Sequence, residues 1–215
     1  MISHEHKAIF VHIPKTGGQS IEQMFLDDLG LSWEERGLLT LAPNEDREKG
    51  PSRLAHLYAH EYVSKGFVTR AQWDQYLTFA VVRNPYERIL SEYLYRHRGG
   101  RARLRLVRGG SDLKKFVERR CGDDFNDLNR HLQSETRYLC DQQGNIMVDH
   151  VIGFENMRPE IERLLANVLK SPAGMPHRNK TPGVNRYLKE RARRTIKPLV
   201  AASYQSDFTT FGYPM

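Results

Sequence analysis

The sequence predicts an α/β fold in which helices flank a mainly parallel central sheet. Short runs of apolar, β-branched and aromatic residues occur at positions 8–13, 77–82 and 150–154, and such runs are typical of buried strands. A polar turn and then apolar residues at helical spacing follow each run. Because parallel strands need crossover connections, which are usually helices, this alternation favours a parallel sheet.

Length and composition indicate one soluble domain over residues 1–215. Apolar residues make up 39% of the sequence, and 33 Lys and Arg against 26 Asp and Glu give a net charge of +7, which favours anionic partners without choosing among them. No window approaches about 18 consecutive apolar residues, which excludes a membrane-spanning helix. Residues 1–7 lack the apolar stretch of a secretory signal, so we expect a cytoplasmic protein. Its two cysteines, Cys121 and Cys140, are too few for a disulfide framework.

The first predicted strand leads through a polar turn into a helix. The turn contains two adjacent glycines and reads Pro14-Lys15-Thr16-Gly17-Gly18-Gln19-Ser20. Behind it, apolar residues recur at helical spacing over positions 21–29, and Gly30 is placed to end that helix. The segment is therefore predicted to be a strand, a tight turn and a helix.

This turn has the composition of an anion site. A glycine turn before a helix aims backbone N–H groups at one point, and the helix dipole adds to them. Lys15 brings a positive charge, and Thr16 and Ser20 bring hydroxyl donors. The plainer alternative is that Gly17 and Gly18 only close a turn.

The order of residues in the turn separates it from a P-loop nucleotide triphosphatase. That motif carries its lysine after the glycines, whereas Lys15 precedes them. A hydroxyl and aspartate pair suited to Mg²⁺ is not evident in the sequence. We therefore expect an anion that is held without a required metal.

The second predicted strand also ends at a polar turn before a helix. Asn84 can cap that helix and Pro85 suits its first position. Arg83 follows the strand directly, so its guanidinium is expected at the carboxyl edge of the sheet, where open α/β folds bind ligands. Ser91 lies two turns along the helix and can donate to the same oxyanion. The alternative is a helix cap with a surface arginine.

The remaining segments are less informative about function. Residues 96–108 contain six arginines, and we expect there an exposed loop or frayed helix that either holds an acidic glycan or is merely solvated. A basic helical tail at 187–211 is expected to break near Pro198. Helices are predicted in three further segments: 112–120, 125–139 and 159–169.

Together the two turns resemble those of sulfotransferases that use 3′-phosphoadenosine 5′-phosphosulfate (PAPS). Lys15-Thr16-Gly17-Gly18 is similar to their 5′-phosphosulfate loop, and Arg83 with Ser91 resembles their 3′-phosphate site. The sequences of these motifs are most similar to those of carbohydrate O-sulfotransferases of the heparan sulfate 2-O and 6-O type and their small bacterial relatives. Residues 96–149 match no motif of the family. Three other segments extend the resemblance: 153–156, 177–181 and 204–213.

The resemblance implies a base that deprotonates the acceptor hydroxyl. His56 matches the family's histidine between the two donor motifs, and an unperturbed pKa of about 6.5 lets a histidine accept a proton near neutrality. His60 and Glu61 stand close by, and on a helix His56 and His60 would share a face, so both histidines remain candidates. The position in the motif favours His56.

The resemblance also implies a donor-binding set. Lys180 resembles a late loop that closes over the bound nucleotide, although a charged solvent loop is the alternative. The implied catalytic residues are His56 and Lys15, and no metal is expected. The implied donor-binding residues are Lys15, Thr16, Gly17, Gly18, Gln19, Ser20, Arg83, Ser91 and Lys180.

The sequence thus predicts a PAPS-dependent O-sulfotransferase that releases adenosine 3′,5′-bisphosphate (PAP). Its expected partner is a hydroxyl-bearing acceptor, for which an acidic saccharide is one candidate, and neither a specific nucleic acid nor a membrane span is expected. Two alternatives remain: a P-loop kinase or nucleotide triphosphatase with degenerate motifs, and a non-enzymatic polyanion binder. The first alternative predicts magnesium-dependent ATP binding. The second predicts binding that falls steeply with salt and has no preference for a 3′-phosphate.

Overall fold

A computed structural model describes residues 1–97, 111–119, 122–170, 174–176 and 186–215. Its centre is a four-stranded sheet with the spatial order β1-β2-β3-β4. The strand β1 runs antiparallel to β2, whereas β2, β3 and β4 are parallel to one another. The predicted α/β class with a mainly parallel sheet is therefore confirmed. The strands are β1 (Ile2–Ser3), β2 (Ala8–Val11), β3 (Leu77–Val82) and β4 (His150–Gly153).

Helices connect and cover these strands. Within the described ranges, three 3₁₀ segments occur at Trp33–Leu39, Leu54–His56 and Phe154–Asn156. The α-helices of the described residues are α1 (Gly18–Asp28), α2 (Ala59–Ser64), α3 (Arg70–Gln75), α4 (Pro85–Arg96), α5 (Ser111–Glu118), α6 (Asp127–Leu132), α7 (Glu135–Leu139), α8 (Met157–Leu165), α9 (Arg186–Ser203) and α10 (Gln205–Phe211).

The strands β2 and β3 are buried on both faces, which is why they read as continuous apolar runs. Successive side chains of a strand point to opposite faces. Phe10 and Phe79, which are partners in the β2–β3 register, therefore pack together on one face against Phe25 of α1. Ile9 and Ala80 point to the other face, into a second cluster that includes residues of α2 and α3. A third cluster joins α4, α5, α9 and α10.

Two predicted helical segments differ from the structure. The segment 125–139 forms two short helices, because Asn126 and Ser134 each accept hydrogen bonds from the backbone and start a new helix. The C-terminal tail does not break at Pro198: α9 runs through this proline and ends at Ser203. Ile196 and Val200, on either side of it, are fully buried, and their packing outweighs the one backbone hydrogen bond that proline cannot donate.

Some predicted features lie outside the described residues. These are Lys180, Cys121 and positions 98–108 of the arginine-rich segment, whose first residue, Arg96, is described at the end of α4. None of the helices in the described ranges combines the length and apolar content that a membrane crossing requires.

Candidate active site

The carboxyl ends of β2 and β3 open into a cavity of about 530 Å³. This is the edge at which open α/β sheets bind ligands. Seven of the residues predicted from the sequence line the cavity, and they come from the turn after β2, the segment around Leu54–His56, and the start of α4. They are Lys15, Gly17, Gln19, Ser20, His56, Arg83 and Ser91.

The turn between β2 and α1 has an unusual backbone conformation. Lys15 and Gly17 both have positive φ angles, 71° and 85°. The hydroxyl of Thr16 is fully buried and donates to the carbonyl oxygen of Ile13 at 2.8 Å. The expectation that this hydroxyl faces a bound anion is therefore wrong: it stabilises the turn, and Thr16 can serve a ligand only through its backbone N–H.

The two glycines of the turn are required by close approach. A Cβ atom at Gly18 would lie 2.3 Å from the ring of His12, and one at Gly17 would lie 2.8 Å from Cε of Met157. His12 cannot easily yield, because its Nδ1 lies 2.5 Å from Oε1 of the buried Glu22. The glycines are therefore required because His12 and Met157 pack directly against the start of α1. A helix that begins at the edge of a cavity directs backbone N–H groups towards it, as an anion site requires.

Arg83 joins the second strand–turn–helix corner to the first. Its Nη1 donates to the carbonyl oxygen of Lys15 at 3.0 Å, and its guanidinium lies 4.2 Å from the ring centre of Phe154. The guanidinium is half-buried, and its Nε makes no hydrogen bond within the described residues. A buried donor of this kind suits an anionic ligand in the cavity.

Lys15 also reaches across to α4. Its Nζ lies 4.0 Å from the ring centre of Tyr95, which stands one turn after Ser91 on the same helix. The ammonium group, the hydroxyl of Ser91 and the guanidinium of Arg83 thus belong to one cavity wall. The expectation that both corners grip one ligand is consistent with this arrangement.

His56 lies at the end of the turn Leu54–His56 and is only 7% exposed. Its Nδ1 lies 3.3 Å from the carbonyl oxygen of His12, and its Nε2 lies 3.3 Å from Nε2 of His131. Burial, reinforced by the neighbouring His131 and His12, holds the pKa of His56 well below its usual value. The imidazole is therefore neutral at physiological pH and can accept a proton.

His131 is the functional candidate that sequence reasoning missed. It lies on α6, with Nδ1 2.8 Å from Oε2 of Glu92 and Nε2 3.4 Å from Oδ1 of Asp127. Burial opposes the charged form, but the contacts with Asp127 and Glu92 outweigh it and raise the pKa of His131. The spacing of Asp127 and His131, four residues apart on one helix, was the available sequence signal.

His60 does not share the site with His56. The turn that carries His56 ends before α2 begins at Ala59, so the two histidines do not share a helical face. His60 is exposed, stacks on Tyr58, and lines neither of the two cavities described here. Glu61 has a structural role, since its carboxylate accepts two hydrogen bonds of 2.8 Å from Arg130.

A second cavity of about 370 Å³ adjoins the first. His12, Gln19, Arg53 and His56 line both cavities, so His56 lies on their common wall. The remaining lining residues of the second cavity are Glu22, Trp33, Arg36, Leu41, Pro43 and Ala55. A ligand in the second cavity could therefore also contact His56.

Comparison with known proteins identifies the family of this chain. The chain matches no curated protein and no solved structure. The model described as "Sulfotransferase family" matches residues 1–214, which includes both strand–turn–helix corners. With almost its whole length matched, the chain belongs to the sulfotransferase family.

Proposed function

We propose that this sulfotransferase transfers the sulfuryl group of PAPS to a hydroxyl group of a carbohydrate. The observation that carries the proposal is the hydrogen bond from Arg83 Nη1 to the carbonyl oxygen of Lys15, 3.0 Å long. It brings the two predicted anion sites to one cavity, as a donor with charge at both ends requires.

The proposed donor is held at its 5′ and 3′ ends by different corners. The N-terminus of α1, the backbone of the turn before it, and Lys15 bind the phosphosulfate. Arg83 and Ser91 bind the 3′-phosphate, since a guanidinium fork donates two parallel hydrogen bonds to a phosphate. The cavity volume of about 530 Å³ lies within the range of small-molecule sites.

The proposed reaction is an in-line transfer. His56 accepts the hydroxyl proton at Nε2, because its Nδ1 faces the carbonyl oxygen of His12. The acceptor oxygen forms a bond to sulfur while the bond from sulfur to the bridging oxygen breaks, and PAP leaves. Lys15 and the N–H groups of the turn stabilise the charge that develops on the bridging oxygen.

The acceptor is proposed to occupy the second cavity. Arg36 and Arg53 line it, and guanidinium groups suit carboxylate or sulfate substituents. Trp33 offers an aromatic face, with the guanidinium of Arg36 4.9 Å from its ring centre. These residues support an acidic saccharide, as does the resemblance to heparan sulfate-type enzymes and their small bacterial relatives.

Calorimetry tests the donor assignment. PAP is expected to bind tightly without a metal, whereas adenosine 5′-monophosphate and ATP, with or without Mg²⁺, bind much more weakly. The variant Arg83→Ala should lose the preference for PAP over adenosine 5′-monophosphate. The variant Arg70→Ala is the matched control, since Arg70 is exposed on α3 and pairs with Asp74 away from the cavity.

The same titration separates the competing functions. Tight binding of magnesium ATP would favour a kinase or nucleotide triphosphatase and contradict the proposal. Binding of every polyanion, with an affinity that falls steeply with salt and no preference for PAP, would indicate a non-enzymatic binder.

A further inference from the structure

His56 belongs to a cluster of three potential metal ligands. The atoms concerned are Nε2 of His56, Nε2 of His131 and Oδ1 of Asp127, and all lie within 4.8 Å of one another. The two Nε2 atoms are 3.3 Å apart, and Nε2 of His131 lies 3.4 Å from Oδ1 of Asp127. Two imidazoles and a carboxylate are the ligand set of many open transition-metal sites.

Other groups of the protein hold the two histidine ligands through their second ring nitrogen, Nδ1. Nδ1 of His56 faces the carbonyl oxygen of His12 at 3.3 Å, and Nδ1 of His131 faces Oε2 of Glu92 at 2.8 Å. An imidazole that donates from Nδ1 leaves the lone pair of Nε2 exposed to the cluster. Metal-binding histidines are commonly held in this way by a carbonyl or a carboxylate.

The carboxylate completes a set of converging lone pairs. Oδ2 of Asp127 accepts a hydrogen bond from Arg96 at 2.8 Å, whereas the buried Oδ1 makes no hydrogen bond within the described residues. The three atoms converge on one point, which either a proton on Nε2 of His131 or a divalent cation in its place can occupy. Ligands about 2.0–2.1 Å from a tetrahedral Zn²⁺ are about 3.3–3.4 Å apart, which matches both short separations.

The cluster has an entrance and an open coordination position. All three ligands line the cavity of about 530 Å³, so a metal can enter from it and retain water as a fourth ligand. Arg53 competes with a metal for Oδ1 of Asp127, because its Nε lies 3.5 Å from that oxygen. Its side chain is 62% exposed and can swing away.

We propose that His56, Asp127 and His131 form a binding site for a divalent transition metal, with Zn²⁺ as the best-fitting ion. The sequence did not predict this site. The metal occupies Nε2 of His56, so the same nitrogen cannot accept the acceptor's proton, and the ion inhibits the enzyme. The inhibition rests on the proposed function, whereas the binding site does not.

Titration of chelator-treated, tag-free protein with Co²⁺ and Zn²⁺ tests the site. We expect one equivalent of Co²⁺ to bind and give visible d–d absorption, and Zn²⁺ to displace it, since one N/O ligand set accepts both ions. His131→Ala and Asp127→Asn should each weaken Zn²⁺ binding at least about tenfold. Arg53→Ala should tighten it, because it removes the competing cation.

His60→Ala is the matched control, since this histidine is exposed on α2 and lies outside the cluster. Circular dichroism shows whether each variant is folded. The site is overturned if the wild-type protein binds no stoichiometric metal, or if folded His131→Ala and Asp127→Asn proteins bind Zn²⁺ as tightly as the wild type.

The outcomes for metal and donor are independent. Zn²⁺ binding without PAP binding supports the site and contradicts the proposed function. PAP binding without Zn²⁺ binding supports the function and contradicts the site. When both bind, Zn²⁺ should inhibit sulfuryl transfer reversibly, with a chelator restoring the rate, while PAP binding persists.

Discussion

The protonation of His56 depends on its neighbours rather than on the imidazole itself. His56 and His131 are 3.3 Å apart, but their surroundings drive their pKa values in opposite directions. Burial and the nearby histidines lower the pKa of His56, whereas Glu92 and Asp127 raise that of His131. When two neighbouring titratable groups differ in this way, the group with the lowered pKa typically acts as the base and the group with the raised pKa is the cation.

The pH dependence of sulfuryl transfer should report this difference. A base acts when deprotonated, so the rate rises as the pH passes through the pKa of His56, which lies well below its usual value. We therefore expect kcat/KM to increase with pH, to reach its maximum below about pH 6.5 and to stay at that level through neutrality. His56→Ala should lower kcat by about 10²–10⁴-fold, while His60→Ala leaves it unchanged.

A different profile would reassign the base. If the rate rose only above about pH 6.5, a group with a raised pKa would be the proton acceptor. Near-normal turnover of His56→Ala together with loss of turnover in His131→Ala would give that role to His131.

At the residue scale, the sequence identified those site residues whose position is fixed by their immediate neighbours in the chain. Lys15 and Arg83 could be found because each lies in the turn that follows a strand, and both residues line one cavity. His131 was missed, because it is 75 positions from His56 and the spacing of Asp127 and His131 alone does not show that the fold brings the two rings together. The hydroxyl of Thr16 was assigned wrongly, since its bond to Ile13 is a detail of turn geometry that composition does not show.

At the scale of elements, the turn between β2 and α1 holds the proposed phosphosulfate site. Its shape depends on the packing of the His12 ring against Gly18. The ring is buried, stacks on Phe10, and is held by Glu22, so it has little room to move. A side chain at position 18 must therefore displace the start of α1 or the ring.

Gly18→Ala should destabilise the protein and weaken donor binding. The added methyl group would lie 2.3 Å from ring atoms of His12, and overpacking of this kind costs about 1–3 kcal/mol. Urea unfolding gives the loss of stability, and calorimetry gives the loss of PAP affinity. Gly37→Ala is the control, because the nearest atom to its Cβ is 3.8 Å away. Equal stability of the two variants would contradict the packing argument.

Elements whose cause is local in the sequence were predicted correctly, whereas those that depend on packing with distant segments were not. The strand Leu77–Val82 and the start of α4 were predicted as observed, because an apolar run and an Asn-Pro cap are local signals. The continuity of α9 through Pro198 depends on a cluster formed with α4, α5 and α10, which is remote in sequence. The short strand β1 was likewise missed, since two residues carry too little pattern.

At the scale of the whole molecule, one buried ion pair connects the separate parts of the site. Arg130 on α6 donates two hydrogen bonds of 2.8 Å to Glu61 on α2, and its Nη1 also lies 3.4 Å from the carbonyl oxygen of His56. The pair therefore connects the segment of His56 to the helix of His131. The side chains of Arg130 and Glu61 are only 3% and 8% exposed.

Arg130→Ala is expected to cost about 3–5 kcal/mol of unfolding free energy, because it leaves the Glu61 carboxylate buried without its partner. Arg137→Ala is the matched control: Arg137 also approaches the ring of Tyr58, but its ion pair with Asp124 is exposed and is worth at most about 1 kcal/mol.

The double variant Arg130→Met/Glu61→Met tests two effects separately: that of the buried charges on stability, and that of the link between the segment of His56 and the helix of His131. It should recover much of the lost stability, since no unpaired charge remains buried. Without the hydrogen bond to His56, however, the two histidines should no longer be held together, so the folded double variant should transfer sulfuryl groups more slowly while it still binds PAP. Denaturant unfolding and steady-state rates measure the two effects. If the double variant were as unstable as Arg130→Ala, packing rather than charge would explain the loss of stability. If its rate equalled that of the wild type, the ion pair would have no part in placing His56.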